Sequence, residues 1–157
     1  MKPLKTTRQH LILLLVALGF VLAMHPPEAH AQIVGELQAD IPFSFYAGNA
    51  KFPAGKYTIR MLDGSDLTVM EISSDNGSAA ALFDVRDAEA NSSPRKSELI
   101  FNKFGNRYFL AKLFDDGNPL GSALIESRYE KKLAQAVAEG QEHVPAQRLE
   151  SAKRDVN

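Results

Sequence analysis

The sequence predicts a mainly β domain, with about seven antiparallel strands forming a sandwich or a small barrel, one C-terminal amphipathic helix and a disordered tail. Three observations carry this. Short runs alternate apolar and polar residues, as half-buried strands do. Clusters of Gly, Asn, Asp and Pro interrupt those runs every ~10 residues. The apolar period then lengthens to four after Ser127.

Ahead of this domain, Lys2, Lys5 and Arg8 open a segment without acidic residues, and Leu11 to Met24 is uncharged and apolar. Pro26 and Pro27 interrupt it, and Ala29-His30-Ala31 closes it with a small-x-small pattern. A positive start, an apolar middle and such an end make a secretory signal peptide over residues 1–31, cut between Ala31 and Gln32. The apolar run is short of the ~20 residues a spanning helix needs, so the chain is not expected to span a membrane after cleavage. This reading places the mature protein in the periplasm or outside the cell.

After Gln32 to Ala39, a linker or a first strand, Ile41 to Tyr46 alternates and sets Phe43 and Phe45 on one face. Ala47-Gly48-Asn49 is a turn, and Phe52-Pro53-Ala54-Gly55 a tighter one. Lys56 to Leu62 puts Tyr57, Ile59 and Met61 on a common face, and Leu67 to Ser73 follows a polar turn. Asn76-Gly77 suits a hairpin into Ala79 to Arg86, where Ala81, Phe83 and Val85 share a side. Asp87 to Lys96 reads as a surface loop. Glu98 to Phe104 and Arg107 to Phe114 flank Gly105-Asn106; a two-residue turn sets Phe101 opposite Leu110 and Lys103 opposite Tyr108. Leu120 to Ile125 is a short last strand.

Ser127-Arg128-Tyr129-Glu130 is a capping box that starts a helix. Tyr129, Leu133 and Val137 lie on one helix face, a candidate interface, and Gly140 ends the helix. From Gln141 on, only Val144, Leu149 and Val156 are large and apolar, so the expected divisions are a β domain with its helix over 32–140 and a polar disordered tail over 141–157.

Composition limits the chemistry. There is no cysteine, so no disulfide, thiol or lipid anchor on a thiol. His10, His25 and His30 leave with the signal and only His143 remains, which argues against a histidine-based triad and a zinc site. Loss of Lys2, Lys5, Arg8 and Glu28 moves the formal net charge from −1 to about −3, a poor match for nucleic acid. Two-carboxylate hydrolysis survives by elimination, its candidate acids being Asp40, Asp63, Asp66, Asp84, Asp87, Glu98, Asp115 and Asp116. Most of these sit in turns, where Asp is favoured for local hydrogen bonds. Asp115-Asp116-Gly117-Asn118 lacks the spacing of a calcium loop.

The stretches IPFSFYAGNAKFPAGKYTIR (residues 41–60), LIFNKFGNRYFLAKLF (99–114) and SRYEKKLA (127–134) resemble a family of small, uncharacterised exported bacterial β-rich proteins with no assigned activity. The resemblance implies export, a β-rich domain and a helical end, and it brings no catalytic residue. The sequence therefore points to an exported, non-enzymatic β domain that needs no cofactor and is either ligand-binding or structural. Its partner would be a small apolar ligand or, through the helix, a protein of the cell envelope. A carboxylate hydrolase is the remaining alternative.

Overall fold

The computed structural model describes residues 35–62 and 69–149. The strands are β1 (Glu36–Ile41), β2 (Phe45–Ala47), β3 (Ala50–Phe52), β4 (Gly55–Met61), β5 (Val69–Ser74), β6 (Ala80–Glu89), β7 (Glu98–Phe104), β8 (Arg107–Phe114), β9 (Leu120–Leu124) and β10 (Glu139–Leu149). One helix, α1 (Arg128–Ala134), lies between β9 and β10. Eight strands close an antiparallel barrel in the order β8-β7-β10-β1-β4-β5-β6-β9, and the β9–β8 pairing completes the ring. The short β2–β3 hairpin is added at β8, where Phe45 and Tyr46 pair in parallel with Tyr108 and Phe109.

The alternation seen in the sequence sorts side chains across the wall. Leu37, Ile41, Phe45, Tyr57, Ile59, Met70, Ile72 and Phe101 are all buried to 1% exposure or less. Phe45 is central: its ring lies 5.2 Å from Phe52, 5.3 Å from Tyr57 and 5.4 Å from Phe101. Each such pair adds ~1 kcal/mol beyond burial, which fixes the rings relative to one another. Asp40, Lys56 and Arg60 stand exposed on the outer wall. On β1 and β4 apolar side chains thus face inward and charged ones outward, the reverse of a membrane barrel with an aqueous lumen. Among the described residues no helix is long and apolar enough to cross a membrane.

A second apolar layer lies on the outer side of β7 and β8. The bulge at Ile100/Phe101 shifts the register, so that Phe101 faces Leu110 while Ile100 faces Lys112. Ile100, Phe104, Phe109 and Phe114 are buried apart from the central cluster. Tyr129 of α1 covers Phe109 at 5.8 Å and Tyr46 at 5.6 Å.

Four differences from the sequence reading have physical causes. Ile41 to Tyr46 is two strands rather than one. Pro42 has no N–H to give a ladder, and the chain bends so that Phe43 stacks on Tyr108 at 3.9 Å. β6 runs on to Glu89, because β9 pairs with Val85–Glu89 after β5 has paired with Ala80–Asp84. The helix stops at Ala134, short of Val137 and Gly140, with Gln135 as its C-cap. The expected tail begins no earlier than residue 150: Gln141–Leu149 belong to β10, the strand between β7 and β1. Residues 1–34, including Ala31 and Gln32, and residues 150–157 lie outside the described residues.

Candidate functional site

The barrel is not uniformly sealed. β9 pairs with β6 from Val85 to Glu89 and ends at Leu124; the chain then leaves β6 to start α1. On the far side of this opening the β2–β3 hairpin takes the place beside β8 that a longer β9 would occupy. Among the described residues no strand pairs with Ala80–Asp84 on the side away from β5, and β3 has β2 as its sole strand neighbour. A groove of about 510 Å³ follows this seam, walled by Gly48–Ala50, Ala81–Asp84 and Leu124–Arg128. Phe83 forms its floor, with Phe52 6.2 Å away. Gly48 turns the hairpin with φ +56°, the left-handed region that favours glycine, and a Cβ there would meet the Phe83 ring at an ordinary 3.4 Å.

Leu82 is 60% exposed and Ile125 56%, the two most exposed large apolar side chains among the described residues, and both line this groove. Asp84, Glu126 and Arg128 add charge to its walls. Tyr129, Leu133 and Val137 continue from the Arg128 end. Tyr129 is held by Phe109, Tyr46 and the Arg107 guanidinium, Leu133 is half-buried, and Val137 is exposed beyond the helix.

The candidate acids do not converge. Asp40, Asp84, Asp87 and Asp116 are exposed, Glu98 meets His143 Nδ1 at 3.0 Å, and Asp63 and Asp66 lie outside the described residues. Asp115 is buried, held by Ser97, the Asp116 N–H and Arg148. Among the described residues no three His, Asp or Glu side chains are grouped to hold a metal ion.

One acid outside this set, the capping-box Glu130, stands out. Glu130 is buried in a cleft of about 230 Å³ that it shares with Glu126, Glu139, Arg86 and Lys112. Its N–H donates to Ser127 Oγ at 3.1 Å, and its carboxylate accepts from Asn102 Nδ2 at 3.0 Å. Burial pushes its carboxyl above the ordinary value of 4.5, against the opposing pull of Asn102, and Glu126 and Glu139 push the same way. These bonds make it a helix clamp.

A raised folded-state value means that the folded protein holds this proton more tightly than the unfolded chain does. The stabilising contribution is therefore complete below pH 4.5 and is lost as pH rises through the raised value. Glu130→Gln removes that dependence. Denaturant titrations between pH 4.5 and 7.5 are expected to show wild type losing stability relative to the variant as pH rises. Parallel curves would place Glu130 in contact with bulk water.

Neither a protein-family model, nor a curated protein, nor a solved structure matches the chain.

Proposed function

We propose that the chain is an exported, non-enzymatic β-barrel module of the cell envelope that binds another polypeptide at the seam between β3 and β6. The carrying observation is that Leu82 and Ile125, 60% and 56% exposed, line one groove beside a stretch of β6 that has no second strand partner among the described residues. Apolar side chains gathered in a groove with a polar surround mark contact surfaces more often than scattered ones do. The barrel interior favours a protein partner over a small apolar ligand, because its own rings occupy the centre: Phe43 packs on Phe101, Phe101 on Phe45 and Phe45 on Tyr57. Export rests on the N-terminal signal pattern and on the family resemblance. Docking through the helix face is less favoured, since Tyr129 is already packed on Phe109.

The test is site-specific photo-cross-linking in the exporting host, with a benzophenone side chain at Leu82, at Ile125, or at exposed Lys56 on β4. A discrete adduct is expected from Leu82 and Ile125 and not from Lys56. Adding Ile125→Asp is expected to cut the Leu82 adduct about tenfold, while stability changes by under ~0.5 kcal/mol because the side chain is exposed. Equal adducts from Lys56, or a Leu82 adduct indifferent to Ile125→Asp, would refute the reading.

A further inference from the structure

Backbone parity shows what the seam offers. In an antiparallel ladder, successive residues turn their N–H and C=O groups to opposite edges. Ser74 N–H donates to Ala79 O at 2.8 Å, so Ala79 faces β5, and so do Ala81 and Phe83 at the same parity. Ala80, Leu82 and Asp84 therefore face away from β5. A count from the other end agrees: Ala90 N–H donates to Pro119 O at 2.8 Å, so Ala90 faces the β9 side, as do Ala88, Arg86 and, by the same parity, Asp84, Leu82 and Ala80. The β9 ladder ends at Val85–Leu124. Ala80 and Leu82 thus point two N–H and two C=O groups into the groove with no backbone partner among the described residues, and Asp84 lies opposite Ile125 at the end of the β9 ladder.

We propose that the partner docks by strand addition: an extended peptide of about five residues pairs with the free edge of Ala80–Asp84 and completes the ladder that β9 abandons. This rests on the seam being the binding site, and it specifies the ligand class. Unpaired backbone groups at a sheet edge are a template for an added strand, with pockets selecting its side chains.

A second folded copy does not fit. An isologous contact would have to join two such edges, each recessed between Gly48–Ala50 and Leu124–Arg128, so the walls would meet first. The edge is also only five residues, or ~17 Å, long. A stable pair of folded proteins buries ~800 Å² on each side. A single strand needs no more than the edge itself.

The rows beside that edge define the partner's chemistry. Leu82 and Asp84 are exposed on the outer face, and Ala81 and Phe83 face the core. A neighbouring strand would set an apolar residue beside Leu82, a basic one beside Asp84 and apolar ones beneath. The ligand is an extended, alternating apolar segment carrying Lys or Arg.

The probe is a synthetic octapeptide alternating valine with threonine and lysine, with a twin N-methylated at every second residue and a second twin methylated at the others. Binding is followed by fluorescence anisotropy, and amide exchange by NMR on the signal-free protein. Saturable binding is expected for the unmethylated peptide, with exchange at Ala80 and Leu82 slowed at least ~10-fold, and loss of binding for the twin whose edge faces β6. Binding that leaves these amides unprotected, or that survives both methylation patterns, would overturn strand addition while leaving the cross-linking result intact. No saturable binding up to ~1 mM would also overturn it. Concentration-dependent protection of the same amides without peptide would assign the edge to a second copy instead.

Discussion

Gly121→Val is expected to open the barrel. Gly121 sits in β9 opposite Phe114 of β8, the pairing that closes the ring. A Cβ there would stand 2.3 Å from Leu113 O, 2.5 Å from Phe114 Cδ1 and 2.8 Å from Phe114 Cε1. The ring can tilt, but the carbonyl is backbone and moves only if β8 and β9 part. Overpacking a core costs ~1–3 kcal/mol where side chains can shift, and a backbone clash reaches the top of that range or beyond. Against a total stability of ~5–15 kcal/mol this is a large fraction. Urea denaturation should show a much lower midpoint for Gly121→Val and an intermediate one for Gly121→Ala. Gly140→Ala is the matched control: its nearest neighbour would be 3.9 Å away, and its midpoint should barely move. A Gly121→Val midpoint equal to wild type would mean that β8 and β9 are not so tightly apposed. Parting β8 from β9 would also disturb the seam, since β9 supplies the Leu124 end of its wall.

The parts of the fold that were legible in the sequence are those governed by neighbours in the chain. The Gly105-Asn106 turn sets Phe101 opposite Leu110 and Lys103 opposite Tyr108, as two-residue hairpin geometry requires. Ser127 accepts from the Glu130 N–H at 3.1 Å, as the capping box implies. β10 was hidden for a physical reason. In Glu142–Gln147 only Val144 is a large apolar residue, and Pro145 argues against a strand with two neighbours. The structure accommodates Pro145 where β10 passes from pairing with β7 to pairing with β1, and the ladder resumes with Ala146 N–H donating to Ser97 O at 2.8 Å. Nonlocal register thus supplied what local propensity lacked. The seam was half legible. Alternation with Ala81, Phe83 and Val85 inside put Leu82 outside. That its edge has no strand partner among the described residues depends on β9 ending at Leu124, a matter of strand order that periodicity cannot express.

Asp115→Ala is expected to cost about 3 kcal/mol, far more than a turn aspartate would. Asp115 is 2% exposed, and its carboxylate joins three separate parts of the chain. It accepts from Ser97 Oγ at 2.6 Å, just before β7, and from the Asp116 N–H at 2.9 Å, just after β8. The Arg148 guanidinium reaches it from β10. Ser97 Oγ in turn accepts from the Asp116 N–H at 3.1 Å. Truncation would leave a buried hydroxyl without its acceptor and a cation without its counter-charge, at the corner where β10 enters the ring beside β1. Asp115→Asn keeps the shape, but it can set an NH₂ against the guanidinium, so it should recover only part of the loss. Ser97→Ala removes one neutral donor and should cost ~1 kcal/mol. Because both residues serve one network, the double variant Ser97→Ala/Asp115→Ala should fall short of the sum of the singles. Urea titrations at neutral pH read all four values. An Asp115→Ala loss below ~1 kcal/mol, or strict additivity with Ser97→Ala, would show that the corner does not hold β7, β8 and β10 together.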